Sequence, residues 1–269
     1  MTMKRWMRAF VATGLIGLGA CLNTTPPPTG NENRNENGNE NGHETPHFAY
    51  SGENGPEHWG ELSDEWATCS DGTSQSPINI DTTQTVPNAN LDDLVTQYQE
   101  TPGKLLNNGH TLEVEYEGGS TLTVGSQEYA LLQFHFHVPS EHTVDGVAAD
   151  MELHLVHQNA DGGLAVVAVM IDTGSENAAL APYWNEFPED EGEAEVETAI
   201  NAADLLPDSL DYYTYSGSLT TPPCSQDVTW FVLKGRISAS QEQIDHLVGL
   251  LGNNVRPVQP LNGRTVEEN

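Results

Sequence analysis

Three histidines have the spacing of ligands to a metal ion. His135 and His137 are two residues apart in segment 133–137, where aromatic and polar residues alternate and predict a β-strand. Side chains at positions i and i+2 of a strand lie on one face, about 7 Å apart along the chain. Glu152 and His154 repeat this spacing in a second predicted strand. Three imidazoles around one zinc ion leave the fourth tetrahedral position for water, as in catalytic zinc sites.

Two histidines in an HxH pair are also common as buried, hydrogen-bonded core residues, so the spacing alone leaves both interpretations open. The elements around them predict a β-rich domain. Alternation and β-branched runs predict strands at residues 111–116, 121–124, 131–138, 151–157, 164–171 and 229–233. Gly118 and Gly119 predict a turn between the first two strands.

A helix is predicted at residues 240–251. Ser240 is the expected N-cap, Gln243 its capping-box partner and Gly252 the stop signal. Residues 185–197 are rich in glutamate, and we expect a solvent-exposed loop or short helix there.

The first thirty residues are typical of an export signal. Three basic residues precede an apolar run at residues 9–20, which is too short to span about 30 Å of hydrocarbon as a helix. The run ends in LGAC at residues 18–21, which resembles the bacterial lipobox. We therefore expect residues 1–20 to be a signal peptide and Cys21 to carry a lipid that anchors the protein to a bacterial membrane, in the periplasm or at the cell surface. The alternative is an ordinary cleaved signal with an incidental cysteine.

Composition divides the rest of the chain into a tether and a folded domain. Residues 21–47 contain Pro, Thr, Asn, Glu and Gly without apolar spacing, which predicts a disordered tether. We expect His47, near its end, to have no functional role. Residues 48–269 form the predicted folded domain. With 40 acidic and 9 basic residues and a formal net charge of −31, the protein is not expected to bind nucleic acid.

Two cysteines remain besides Cys21. An even pair in an exported protein predicts a disulfide between Cys69 and Cys224. Two buried free thiols are the alternative.

Eight short blocks, taken in order along the chain, resemble the α-class carbonic anhydrases over residues 50–266. They are GPEHWG at 55–60, QSPINI at 75–80, NNGH at 107–110, QFHFH at 133–137, SEH at 140–142, ELHLVH at 152–157, GSLTTPP at 217–223 and NVRPVQP at 254–260. The resemblance implies a mainly β, single domain with a large twisted, mostly antiparallel central sheet and a few short surface helices. It also implies the pairing of Cys69 with Cys224 found in the bacterial members.

The resemblance assigns a role to each matching residue. It implies that His135, His137 and His154 bind zinc, and that Gln133, Glu152 and the backbone carbonyl of Asn254 orient them. Thr220 and Glu141 match the pair that orients the attacking hydroxide, and His110 matches the proton shuttle. The apolar substrate pocket corresponds to Val156, Val166, Leu219 and Trp230, with Thr221 beside it. Tyr50, Asn108 and Thr221 match residues that order cavity water.

Two histidines and one glutamate also match positions of the family. His142 and His157 match buried structural histidines in the family. Glu113 lies on the implied cavity wall, where a neutral amide is more usual, and its negative charge could disturb the relay of protons.

The activity implied by the resemblance is the reversible hydration of CO2 to bicarbonate and a proton by zinc-bound hydroxide. CO2 and bicarbonate would be the small-molecule substrates, and Zn2+ the cofactor. The alternative is a carbonic-anhydrase-like surface lipoprotein with weak catalytic activity, whose main role is binding or adhesion. Nothing in the sequence predicts an oligomeric state.

Overall fold

A computed structural model describes residues 46–269 of the chain. The predicted signal peptide, Cys21 and the tether as far as residue 45 lie outside the described residues. Pro46 and His47, the last two residues of the predicted tether, are described. They belong to the same compact unit as the rest of this part of the chain.

Strands dominate the described residues. In chain order they are β1 Asn79–Ile80, β2 Val86–Pro87, β3 Leu94–Gln97, β4 Thr101–Asn107, β5 Leu112–Glu115, β6 Thr121–Val124, β7 Gln127–His137, β8 Thr143–Val144, β9 Val147–Ala148, β10 Met151–Asn159, β11 Leu164–Thr173, β12 Gly192–Ile200, β13 Tyr212–Ser218, β14 Gln226–Ala239 and β15 Glu267–Glu268. Twelve of them form one sheet, and β1, β8 and β9 form a small second sheet.

The large sheet is mostly antiparallel, as predicted. Its main path runs β12-β4-β5-β7-β10-β11-β14-β13-β15-β2, and β6 joins β3 to β7 beside it. Only the β11–β14 and β15–β2 pairs within this described sheet are parallel. The strands that carry the three histidines, β7 and β10, therefore lie near the centre of the sheet.

The predicted turn at Gly118 and Gly119 connects β5 to β6. Strands β5 and β6 follow one another in sequence but do not pair with each other. Both pair with β7, which is long enough for β6 to contact residues 127–130 and β5 to contact residues 133–135. The sequence predicted only residues 131–138 of this strand, because the first half lacks a clear apolar alternation.

The prediction for residues 185–197 was wrong in part. Residues 192–200 form the strand β12, which pairs with β4. Glu193, Glu195 and Glu197 are exposed, while Ala194 and Val196 pack against the core. The alternation of strand residues was present, but the small size of the inward residues and the number of glutamates concealed it.

Helices are few and short. They are α1 Trp59–Leu62, α2 Thr68–Asp71 and α3 Gln241–Leu251, with single 3-10 turns at Gly52–Asn54, Asp64–Trp66, Trp184–Glu186 and Ala202–Leu205. The predicted capping box is confirmed at α3, where Ser240 and Gln243 bond each other reciprocally, and Gly252 follows the last turn at φ +66°. Among residues 46–269, no helix has the length and apolar character needed to cross a membrane.

Two apolar clusters cover the two faces of the sheet around β7 and β10. Phe134 and Phe136 are fully buried in the larger cluster, so the opposite face of β7 is left to His135 and His137. The smaller cluster includes Trp230 and lies on the histidine side. Because side chains alternate along β7, one face of the strand packs into the apolar core and the other face carries His135 and His137.

Candidate metal centre

The antiparallel pairing of β7 with β10 brings the three histidines together. His135 lies directly opposite His154, and His137 lies opposite Glu152. The ring centroids of His135, His137 and His154 are 4.6 to 5.2 Å apart. One ligand atom from each ring lies within 4.8 Å of the other two.

Each ring is held by a hydrogen bond on the nitrogen that faces away from the others. His135 Nδ1 donates to Gln133 Oε1 at 2.8 Å, and His137 Nδ1 donates to the Asn254 carbonyl at 2.8 Å. His154 Nε2 donates to Glu152 Oε1 at 2.9 Å. These acceptors fix the tautomers and leave His135 Nε2, His137 Nε2 and His154 Nδ1 with free lone pairs.

These three nitrogens suit a zinc ion. His137 Nε2 is buried and has no hydrogen-bond partner in the described structure, which is costly unless another group satisfies it. Burial lowers the pKa of all three histidines, and the proximity of the rings to one another contributes to this shift at His135 and His154. The rings are therefore neutral at pH 7 and present lone pairs, as zinc requires.

Glu152 supports several parts of the site at once. Its carboxylate is fully buried and accepts four hydrogen bonds: from the backbone N–H groups of Glu141 and His142, and from the rings of His142 and His154. Burial alone would raise the pKa of Glu152, but His142, His154 and these bonds outweigh it, so the pKa lies well below the ordinary value. A carboxylate that stays ionised strengthens the basicity of His154.

Glu141 lies beside the three rings. Its Oε1 accepts a 2.9 Å bond from the Arg256 backbone N–H, and its Oε2 lies 3.6 Å from His137 Nε2 and 4.0 Å from His154 Nδ1. Burial raises the pKa of Glu141 to about 7, while His154, the Arg256 N–H and the Thr220 hydroxyl oppose the shift. Oε2 has no hydrogen-bond partner in the described structure, so Thr220 lies near the carboxylate without a well-formed bond to this oxygen.

Apolar side chains border the histidines on one side. Val166 and Trp230 are buried, and Val156 and Leu219 pack against the same cluster. The Trp230 ring lies 4.9 Å from the His154 ring, and its Nε1 donates to the Ser218 carbonyl, which fixes the indole. The four apolar residues of the predicted pocket therefore belong to one cluster next to the three histidines.

A disulfide holds the loop that carries Thr220. Cys69 and Cys224 are bonded, as predicted, with Cα atoms 5.0 Å apart. Within the loop, the Cys224 N–H donates to the Thr221 carbonyl at 2.8 Å. Thr221, predicted at the pocket, is partly exposed, and its carbonyl accepts this bond.

His110 lies on a turn that is tied to the histidine strand. Asn108 Oδ1 accepts from the His110 and Thr111 N–H groups, and the Asn254 side chain donates to the carbonyls of His110 and Phe136. The buried Asn254 thus connects the turn of the predicted shuttle to β7, besides accepting from His137.

Tyr50 is also close to the site. Its hydroxyl is buried without a partner in the described structure, and burial, followed by the charge of Glu141, raises its pKa well above the ordinary value.

Glu113 lies opposite His135 on the neighbouring strand. Its Oε2 accepts a 3.3 Å bond from Gln133 Nε2, so it contacts the residue that orients His135. Burial raises the pKa of Glu113 to about 7; Glu115 adds to the shift and Lys104 opposes it.

The two histidines expected to be structural are both fully buried. His142 lies between Glu152 and the Tyr215 hydroxyl, at 2.7 and 2.6 Å, and His157 bonds the Tyr98 hydroxyl at 2.8 Å. His142, Glu152 and His154 also form a compact group, but the hydrogen bonds already described account for it.

One site residue carried no prediction. Arg256 is 2% exposed and donates to the Gln75 side chain and to the carbonyls of Ser76 and Cys69, while its backbone N–H holds Glu141. The block at 254–260 contained it, but its partners lie far away in sequence. A basic residue among proline and valine was the only available signal.

Several known proteins that this chain resembles belong to one family. A family model described as eukaryotic-type carbonic anhydrase matches residues 54–269. A carbonic anhydrase of Pectobacterium atrosepticum is 45% identical over 222 residues, which cover 82% of this chain and 90% of that protein. One of Nostoc sp. is 46% identical over 226 residues, covering 82% and 86%. The solved structure of the α-carbonic anhydrase of Thermovibrio ammonificans with sulfanilamide matches with a TM-score of 0.81 and 42% identity, covering 82% of this chain and 99% of that one.

Proposed function

The chain belongs to the eukaryotic-type, or α-class, carbonic anhydrase family, and we propose that it hydrates CO2 reversibly with a zinc ion held by His135, His137 and His154. The observation that carries the proposal is the convergence of three neutral imidazoles, each oriented by an acceptor on its outer nitrogen. Zinc in such a site lowers the pKa of coordinated water from 15.7 to about 7 and supplies a nucleophile at neutral pH, which is the established figure for carbonic anhydrases in general.

Thr220 and Glu141 orient the nucleophile in this proposal. If Glu141 is ionised, it accepts the Thr220 proton, which leaves the Thr220 oxygen to accept a hydrogen bond in turn. A ligand that can donate a hydrogen bond to the Thr220 oxygen is then favoured at this position, and a ligand that cannot donate one is disfavoured. A divalent cation on the neighbouring nitrogens favours the ionised carboxylate and offsets the effect of burial on the pKa of Glu141.

Arg256 keeps this pair in place. Its backbone N–H occupies Glu141 Oε1, so that Oε2 is the oxygen left for Thr220. Its guanidinium, bonded to Cys69 and Ser76, prevents the segment from shifting.

The apolar wall binds the substrate. CO2 has no charge, so the surface formed by Val156, Val166, Leu219 and Trp230 can hold it without removing water from an ion. Bicarbonate is an anion, and an apolar wall does not retain it. The same residues therefore favour binding of CO2 and release of bicarbonate.

Proton release requires a relay. An acid of pKa near 7 loses its proton to water at only about 10³ s⁻¹ if recapture is diffusion-limited at about 10¹⁰ M⁻¹s⁻¹, whereas carbonic anhydrases reach about 10⁶ s⁻¹. His110 is half-buried at the end of its turn and suits this role, because an imidazole exchanges protons near neutral pH. Burial and His47 lower the pKa of His110, and Glu191 raises it.

Stopped-flow CO2 hydration by the purified, oxidised protein tests the proposal. We expect activity that is lost with a zinc chelator, restored by zinc, and lost in His135→Ala. His58→Ala is the matched control, because His58 is a half-exposed histidine whose partner is Glu61 on the surface. Full activity of His135→Ala would contradict the site, and absence of activity in the zinc-loaded protein would favour the binding lipoprotein instead.

We further propose that Cys21 is lipidated and that a tether connects it to the domain outside the cytoplasm. The support is the lipobox-like sequence after a basic and apolar leader. Labelling of cells with a fatty-acid analogue tests this. We expect label in the wild type and none in Cys21→Ser, and equal labelling of both would contradict it.

A further inference from the structure

His110 has an aromatic neighbour from the segment that precedes the first helix. The Phe48 ring stacks on the His110 ring with centroids 3.8 Å apart and an angle of 15° between the planes. Phe48 also packs against Trp59 and Trp66, so it is fixed to the body of the domain. The segment at residues 46–50 is therefore attached to the relay residue and not separate from it.

A second imidazole lies at the same place. The His47 ring is 5.3 Å from the His110 ring, centroid to centroid, at an angle of 85°. His47 is exposed, while His110 is half-buried, so His47 lies on the solvent side of the pair. A separation of this size can be crossed by a proton through one bridging water molecule.

A hydrogen bond fixes the tautomer of the His47 ring. Its Nδ1 lies 2.7 Å from the Phe48 carbonyl, which can only accept, so Nδ1 carries hydrogen. Nε2 is then the basic nitrogen. Protonation at Nε2 leaves the bond from Nδ1 to the Phe48 carbonyl intact.

A carboxylate lies beside the same turn. Gly109 has φ +77°, and a Cβ placed there would lie 2.5 Å from Glu191 Oε1. Glu191 is therefore packed against the residue before His110, where its charge favours a cationic imidazole. The titratable groups around His110 in the described structure are thus His47 and Glu191, with the Tyr50 ring at 6.3 Å.

We propose that His47 is the second station of the proton relay, taking protons from His110 and passing them to buffer, with Glu191 stabilising the positive charge during transfer. In the hydration direction, an N–H bond of the His110 imidazolium breaks as its proton passes to the bridging water, and that water gives one of its own protons to His47 Nε2, where a new N–H bond forms. The His47 imidazolium then gives its Nε2 proton to a buffer base, and both rings return to the neutral state. This inference rests on the proposed role of His110.

Stopped-flow kinetics of the zinc-loaded full-length protein in dilute, bulky buffer tests the proposal. Because kcat includes proton removal and kcat/KM does not, His47→Ala should lower kcat and leave kcat/KM unchanged. We expect a decrease of about threefold to tenfold, smaller than the 10²- to 10⁴-fold typical of a sole acid–base group, because His110 can still reach buffer directly. High concentrations of imidazole should restore kcat. His58→Ala, which removes another partly exposed imidazole, should change nothing.

The kinetic outcomes separate the two proposals. If His110→Ala leaves kcat unchanged in dilute buffer, the relay through His110 fails and His47 fails with it. If His110→Ala lowers kcat and His47→Ala does not, only the role of His47 is overturned. Unchanged kcat/KM in His47→Ala shows that the variant is folded.

NMR titration of the His110 ring gives a readout that does not depend on activity. Because a protonated His47 opposes protonation of His110, His47→Ala should raise the pKa of His110. Glu191→Gln should lower it, because the negative charge is removed. Absence of both shifts would overturn the proposed cluster.

Discussion

Acid should destabilise the fold through His157, a buried histidine on β10 that takes no part in the proposed chemistry. The residue is 0% exposed, and its Nε2 shares a 2.8 Å hydrogen bond with the Tyr98 hydroxyl. Burial lowers the pKa of His157 to about 4, although the backbone of Ala165 and Leu155 opposes the shift. That opposition is weak, since Nδ1 has no partner in hydrogen-bond geometry in the described structure.

The size of the effect follows from the two pKa values. The ordinary value is 6.5, and the difference from about 4 corresponds to about 3 kcal/mol at 1.36 kcal/mol per unit. Since the unfolded chain binds the proton first, this stability is present above about pH 6.5 and is lost as the pH falls towards 4. Between about pH 7.5 and about pH 5, the loss through His157 amounts to roughly 2 kcal/mol.

Urea unfolding at these two pH values, with the disulfide intact, measures the effect. His157→Gln removes the titrating group and retains an acceptor for Tyr98. We expect this variant to lose about 2 kcal/mol less free energy of unfolding than the wild type between the two values. Protonation of the metal-binding histidines affects both proteins alike and cancels in the comparison.

The control is Tyr98→Phe, which removes the hydrogen bond but leaves the histidine buried. Its dependence on pH should match that of the wild type. If His157→Gln and the wild type lose the same free energy of unfolding in acid, burial of His157 does not cause the dependence of stability on pH.

Three further predictions concern the support of the metal centre. Glu152→Gln should weaken zinc binding 10- to 100-fold, because the charge behind His154 is lost; competition with a chromogenic chelator measures this, and unchanged affinity would contradict it. Asn254→Ala should lower the free energy of unfolding by about 3 kcal/mol, since buried partners of three side-chain bonds are left unsatisfied. Zinc affinity should fall less in Asn254→Ala than in Glu152→Gln, because the backbone carbonyl that accepts from His137 remains. A larger loss of zinc affinity in Asn254→Ala would contradict the assignment of that carbonyl as the acceptor. Replacement of Cys69 and Cys224 by serine should lower the free energy of unfolding by about 2–5 kcal/mol, as measured by chemical denaturation. A denaturation midpoint equal to that of the oxidised wild type would exclude a stabilising role of the disulfide.

The metal centre could be predicted because its geometry is local. His135 and His137 share a face by the period of two in a strand, and a second strand with the same spacing had to supply the third ring. The resemblance then identified His154 and its acceptor. The disulfide could be predicted for a different reason, since Cys69 and Cys224 were the only cysteines left to pair once Cys21 was assigned to the lipid anchor.

Other features depend on packing between distant segments. The side chain of Asn254 bonds residues of β7 and the turn at His110, and Arg256 bonds Gln75 and Ser76; no local pattern specifies these partners. The strand β12 was missed because its inward residues are small. The contact of His47 with His110 could not be predicted, because His47 lies at the end of the predicted tether and His110 is distant in sequence.

The proposed function depends on three imidazoles that bind one zinc ion. X-ray absorption at the zinc edge of the purified, oxidised protein tests it most directly, together with the metal content of the same sample. We expect one zinc ion per chain, bound by three imidazole nitrogens and one oxygen at about 2.0–2.1 Å. A protein without stoichiometric zinc, or zinc bound through sulfur or through fewer than three imidazoles, would overturn the proposed site.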